Sequence, residues 1–247
     1  MLGHVLNTRP ADRAAALTTH LRQVGYQVSE LPLLAFERCL LSCSDQQALQ
    51  QIAIQSVVVV ISPIAAQLGL AQVAQFGINV ADLPIRWIAV GQATAQVLRQ
   101  SGLSPTVPTL ETSEGVVALP EIEQLAAGQR VMVWRGEAGR ELIQLQLQQQ
   151  QVYLSNLELY RRVSPLRLVE DWSVILQQVG WPDVVLISSA EAWRQWQALT
   201  QTEATNAGLL VLGQRLFQQL QPLTARLLRV PDLQPLTIGQ ALQEIAI

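Results

Sequence analysis

GHVLNTRPADRAAALTTHLRQVGYQV, residues 3–28, opens the chain, and a stretch of the same design, GQRVMVWRGEAGRELIQLQLQQQQVYL, returns at residues 128–154. Laid over one another, Val5-Leu6-Asn7-Thr8-Arg9-Pro10 meets Val131-Met132-Val133-Trp134-Arg135-Gly136, each a short apolar strand ending in an arginine and a turn residue. Leu17 and Leu21 then fall on Ile143 and Leu147, a spacing of four that puts each pair on one face of a helix. Pro10 suits the first turn of such a helix, where its missing N–H costs nothing. Both helical stretches lead into another strand, residues 26–28 and 152–154. The unit is strand, turn, helix, strand, which favours a parallel sheet.

The repeat continues beyond these openings. VVVVISPIAA (57–66) is echoed by VVLISSAEAW (184–193), each a buried-type apolar run that reaches serine before a helix-forming segment, so Ser62 corresponds to Ser189. IAVGQATAQVLRQSG (88–102) is echoed by LLVLGQRLFQQL (209–220), and Gly91 corresponds to Gly213. Two such copies predict two similar α/β lobes. Where strands of a parallel sheet give way to helices, backbone N–H groups point outward with partial positive charge, and open α/β sheets bind ligands there.

Composition narrows the chemistry. The 247 residues are 49% hydrophobic and 14% charged, enough to bury a substantial core in one large domain or two small ones. The longest apolar runs, such as SVVVVIS (56–62), fall far short of the ~20 residues of a membrane span. The N-terminus enters a strand-like segment at once, without the pattern of an export signal, which predicts a cytoplasmic protein. All 16 basic residues are arginine. Without lysine there is no Schiff base and no P-loop lysine on a nucleotide phosphate. A net charge of −3 argues against a broad nucleic-acid face. Cys39 and Cys43 stand four apart, with His4 and His20 the only histidines, too few for a metal cluster. No G-x-G-x-x-G follows a strand, and no nucleophile elbow or serine–histidine pair is present, so a nucleotide cofactor is not expected.

Read in order, VLNTRPADRAAALTTHLRQVGYQV, ISPIAA, AVGQATAQVLRQSGL, VMVWRGEAGRELIQLQL and LELYRRV (157–163) resemble the uroporphyrinogen-III synthase family across nearly the whole chain. The resemblance implies two Rossmann-like, flavodoxin-like lobes with parallel sheets, joined by a two-stranded antiparallel linker. Residues 1–35 and 165–247 would form one discontinuous lobe, 39–155 the other, and 33–38 with 156–163 the linker strands. It also implies the reaction: hydroxymethylbilane, a linear tetrapyrrole, closes to uroporphyrinogen III with loss of water and inversion of ring D, without cofactor or metal. The unassisted substrate closes readily to the wrong isomer, so such an enzyme mainly folds the substrate and directs closure. The protein is then expected to be a monomer whose substrate is handed over by hydroxymethylbilane synthase.

The resemblance also implies site residues. Tyr160 matches a tyrosine that the family places beside its cleft, where a phenol donates a proton as the substrate hydroxyl leaves. The substrate carboxylates would be received by Arg9, Arg135 and Arg140, by backbone N–H groups after Ser62 and Ser189, and by the Gly91 turn with Thr94. Ser62 and Ser189 also have the position of helix N-caps. Arg161 and Arg162 alternate in direction on an extended segment, so one at most faces the ligand. Trp172, Trp181, Trp193 and Trp196 read as packing rather than as a stacking platform. Two positions depart from the family pattern: Ile61 stands where threonine is common, and Leu216 corresponds to Thr94. A non-catalytic two-lobe binding or sensor protein for an anionic ligand is the alternative that these departures keep open.

Overall fold

The computed structural model describes residues 2–137 and 142–245, so Arg140 lies outside the described residues. The chain begins β1 (His4–Asn7), α1 (Ala11–Gln23), β2 (Gln27–Glu30), β3 (Ala35–Arg38), α2 (Cys43–Gln50), β4 (Val57–Val60), α3 (Pro63–Gln75), β5 (Arg86–Ala89) and α4 (Gln92–Gln100). Two short helices follow, α5 (Ser113–Val117) and α6 (Pro120–Glu123), then β6 (Arg130–Gly136), α7 (Leu142–Gln149) and β7 (Tyr153–Val163). The rest is α8 (Leu168–Gln178), β8 (Val184–Ile187), α9 (Ala190–Thr200), β9 (Gly208–Leu212), α10 (Gln214–Leu220), β10 (Leu227–Val230) and α11 (Pro235–Glu244). No described helix is long and apolar enough to cross a membrane.

These elements form two compact units, Met1–Ala35 with Val163–Ile247 and Phe36–Arg162. The sheet of the first runs β10-β9-β8-β1-β2, with every neighbouring pair parallel. Counted in chain order from the β2 edge this is 2-1-3-4-5, the flavodoxin-like order. The sheet of the second runs β3-β7-β6-β4-β5, and its four strands other than β3 repeat 2-1-3-4 from the β7 side. The sequence repeat places β1 on β6, β8 on β4 and β9 on β5, and the neighbours agree: β1 pairs with β8 as β6 pairs with β4. The counterpart of the opening strand does not start its own unit, since β6 follows β4 and β5 in the chain; the two copies are cyclically permuted.

The central strands β4 (VVVV) and β8 (VVLI) are buried along their whole length, as expected of strands covered on both faces. Alternate residues feed alternate cores. Val58, Val60, Met132 and Trp134 pack on one side of the second sheet, and Val57, Val59, Val131 and Val133 on the other. In the first unit Leu6, Val185 and Ile187 oppose Val5, Val184 and Leu186 in the same way. Leu17 and Leu21 of α1, and Ile143 and Leu147 of α7, are the buried positions their spacing predicts. Pro10 sits one residue earlier than expected, at the N-cap of α1. Trp172, Trp181 and Trp196 meet edge-on or tilted with ring centroids 5.1–6.0 Å apart, and Trp193 is buried in the same core.

The segment read as a linker strand at 156–163 is continuous with the strand at 152–154. From Tyr153 onward they form the eleven-residue β7, which lies between β6 and β3 within the second sheet. Nothing in YLSNLELYRRV breaks an extended chain, so continuity agrees with the local pattern; the place between β6 and β3 is set by the packing of the sheet.

α3 turns Ala65, Ala66 and Gly69 inward, and these small residues let it lie close over the wholly buried Trp134. A methyl at Gly69 would stand 2.6 Å from Trp134 Cδ2 and nearer still to Cε3. In an isolated helix Gly→Ala gains about 1 kcal/mol. Here overpacking against a locked indole costs about 1–3 kcal/mol, so Gly69→Ala is expected to lower the urea midpoint. A raised midpoint would show that the indole yields freely.

His4 is 5% exposed and shares a 2.9 Å hydrogen bond between Nε2 and Ser29 Oγ. Burial lowers its pKa below the ordinary histidine value, opposed by the backbone at Trp181 and the Asp183 carboxylate. The unfolded chain therefore takes up this proton first. Its stability contribution is complete above about pH 6.5 and is lost as pH falls from there toward the lower folded value, at no more than about 1.4 kcal/mol per pH unit. Urea unfolding of His4→Gln is expected to show a shallower loss than the wild type between pH 7 and 5. Equal slopes would remove His4 as the cause.

Candidate active site

At the carboxyl end of β4 the chain leaves the sheet through Ile61 and Ser62. Ser62 is extended (φ −160°, ψ 157°) and its Oγ accepts the Ala65 N–H at 3.1 Å, capping α3, while Pro63 fills the first helical position. Ser189 repeats this in the first unit, with φ −161°, ψ 159° and Oγ accepting the Ala192 N–H at 3.1 Å. The matched serines are thus matched caps.

Beside Ser62, β6 ends in Arg135 and Gly136. Its pairing with β7 slips there: Arg135 faces Glu158 but Gly136 faces Tyr160, a bulge that re-aims the tyrosine. The Tyr160 ring lies across Gly136, where an added Cβ would come within 2.7 Å of Cζ. Phe36 meets the ring edge-on at 5.4 Å, and the Glu137 N–H donates to the Tyr160 carbonyl at 2.8 Å. The phenol oxygen lies 3.0 Å from Ser62 Oγ. Two residues 98 apart in sequence therefore share a hydrogen bond at the sheet's switch point, between β4 and β6, where such sheets take ligands.

Ser62, Arg135, Gly136, Glu137, Tyr160 and Arg162 line a cavity of about 330 Å³, with Ile61, Val90, Ile143 and others supplying apolar walls. Arg135 is buried, its Nε donating to the Gly136 carbonyl at 3.1 Å. Arg161 and Arg162 do alternate: Arg162 lines the cavity, while Arg161 donates to Glu37 at 2.7 Å on a different face.

Other sequence candidates fall elsewhere. Gly91 and Thr94 cap and begin α4, but neither lines the cavity, and Thr94 is buried. The α4 N-terminus already holds a carboxylate: Glu111 Oε2 accepts the Gln92 N–H at 3.0 Å and occupies the space a Cβ on Gly91 would need. Gly213 matches Gly91 in position but not in conformation, with φ 86° against an extended −161°. Only the former demands glycine for its backbone. Leu216, at the place of Thr94, is buried among apolar neighbours and offers no hydroxyl. In the first unit Arg9 follows β1 and Ser189 follows β8, so both stand at the carboxyl ends of paired strands. Arg9 Nη1 donates to the Leu233 carbonyl at 3.3 Å. Both cysteines are free, and burial followed by the Glu137 carboxylate raises the Cys39 thiol pKa, which disfavours the reactive thiolate.

The family described as uroporphyrinogen-III synthase HemD matches residues 15–233. The chain belongs to the uroporphyrinogen-III synthase family. It is 28% identical over 236 residues to the uroporphyrinogen-III synthase of Salmonella typhimurium, covering 92% of this chain and 94% of that protein. Against the synthase of Escherichia coli it is 27% identical over 242 residues, with the same coverages. A mutant uroporphyrinogen III synthase of Thermus thermophilus shares the fold at a TM-score of 0.66 and 14% identity, over 98% of this chain and 99% of that one. The Helicobacter pylori uroporphyrinogen-III synthetase does so at 0.64 and 12%, over 99% and 100%.

For a member of the uroporphyrinogen-III synthase family the sequence reading overlooked Gly136, Glu137 and Glu111. Gly136 carried a signal, since it follows Arg135 in the turn that aligns with Pro10. Glu111 carried none, lying 19 residues beyond the N–H it caps.

Proposed function

We infer that this protein closes hydroxymethylbilane to uroporphyrinogen III with inversion of ring D and loss of water. The observation that carries the reading is the family match over residues 15–233, together with a phenol, Tyr160, held at a cavity that also presents Arg135 and Arg162. A non-catalytic binder finds no support in relatives that are themselves named synthases.

Tyr160 gives its proton to the substrate's terminal hydroxyl, which leaves as water with the C–O electron pair. The azafulvene cation that remains is attacked by the substituted carbon of ring D, and the resulting spiro intermediate fragments and recloses with that ring reversed. The proton lost as the pyrrole regains aromaticity restores the phenol, directly or through solvent. At about 330 Å³ the cavity is at the low end for ligand sites and takes a portion of a four-ring substrate. Carboxylates there are received by Arg135, Arg162 and the amides following Ser62. Arg9, Arg140 and Ser189 are further candidates, and the Gly91 turn with Thr94 serves only if a substrate carboxylate displaces Glu111. The protein works as a cytoplasmic monomer without cofactor, supplied by hydroxymethylbilane synthase.

Incubation with freshly generated hydroxymethylbilane, oxidation, and separation of the uroporphyrin isomers tests the reading. Type III product in excess of the spontaneous background is expected, and it should persist after chelation and dialysis. Type I product alone would reject the activity.

A further inference from the structure

We propose that the Ser62 side chain is a positioning residue for Tyr160, directing the phenol's proton into the cavity and stabilising its oxygen once that proton has left. The assignment rests on the reading of Tyr160 as proton donor and adds to it the group that makes the donor effective.

A serine hydroxyl has one proton and two lone pairs. One lone pair of Ser62 Oγ is committed to the Ala65 N–H, 3.1 Å away, which fixes the oxygen at the start of α3. The contact with Tyr160 Oη, 3.0 Å away, can run in either direction while the phenol is neutral. If tyrosine donated, its proton would be tied to serine and withheld from a ligand. With serine donating, the phenolic proton is free to turn toward the cavity that both residues line. After transfer only one direction remains, because a phenolate has no proton to donate.

The bond consequently changes character along the reaction. It begins as an ordinary neutral hydrogen bond and ends charge-assisted, roughly twice as strong. The thirteen-residue α3 adds the positive end of its dipole on the same side. Both effects grow as charge develops, so they favour the transition state over bound substrate and act on kcat rather than KM. The rest of the surroundings hold the phenol to this partner: Gly136 leaves room for the ring, Phe36 meets it edge-on, and the bulge before Gly136 sets its direction.

Ser62→Gly removes the hydroxyl but keeps the backbone N–H groups that would hold a carboxylate, and glycine caps a helix with a loss of only a few tenths of a kcal/mol. The expected result is a fall in kcat of about tenfold with KM within about twofold. Ser62→Thr, which restores the hydroxyl, should recover most of that rate. In a Tyr160→Phe background Ser62→Gly should change kcat by less than about twofold, because the group it serves is gone. Full rate in Ser62→Gly, or the same loss in both backgrounds, overturns the assignment and leaves the tyrosine's role standing. Full rate in Tyr160→Phe overturns both. Should Ser62→Gly fold poorly, Ser62→Ala, which also lacks the hydroxyl and keeps the backbone N–H groups, takes its place in the same cycle with the same outcomes.

Discussion

Tyr160→Phe is expected to lower kcat about tenfold to a hundredfold while leaving KM within about twofold. The change deletes one oxygen from a side chain that is 6% exposed. The ring stays edge-on to Phe36 and over Gly136, so the walls of the cavity keep their shape. Only the transition state loses a donor, which places the loss in turnover. It stays below the upper range for acid catalysis because an azafulvene forms easily and water can substitute as donor. Stability falls by no more than about 1 kcal/mol, the net worth of the hydrogen bond to Ser62. Type III product should still dominate, since folding of the substrate depends on the shape of the site rather than on one proton. Full activity would reduce Tyr160 to a packing residue. A switch to the type I isomer would assign it to substrate positioning instead.

The largest stability effect is expected at Trp196. Its indole is fully buried, donates Nε1–H to the Ala204 carbonyl at 2.9 Å, and touches the rings of Trp172 and Trp181. Trp196→Ala removes the packing of all three rings and leaves the Ala204 carbonyl without this donor. Large-to-small changes of this kind cost about 3–5 kcal/mol. Urea unfolding should show the whole loss as a lower midpoint at an unchanged slope, if the unit unfolds in one step. Trp196 contributes no atom to the cavity beside Tyr160, so kcat measured where the variant is still folded should hardly change. A cost below about 1 kcal/mol would mean that the remaining tryptophans close the hole.

Several features of this protein were legible in its residues alone. The runs VVVV and VVLI announce strands covered on both faces, and the four-residue spacings of Leu17 with Leu21 and of Ile143 with Leu147 mark the buried faces of α1 and α7. Ser62 before Pro63, and Ser189 before Ala190, read as caps and are caps. Each of these depends on residues within a turn or two of one another, so the local chain determines it. The ordered motifs extend that reach to the family, and with it to the two-sheet architecture.

The site needed the tertiary structure. Nothing local tells Ser62 that Tyr160, 98 residues away, will stand 3.0 Å from it. That contact requires β6 to pair with both β4 and β7, and requires the register to slip between Arg135 and Gly136. Without that slip Gly136 would face Leu159 rather than Tyr160. Glu111 makes the same point, since its carboxylate fills the Gly91 turn that the sequence left open for a ligand. Strands and caps follow from short-range sterics and hydrogen bonding. Which side chains meet at the end of a sheet follows from strand order and register, which are settled only when the whole sheet packs.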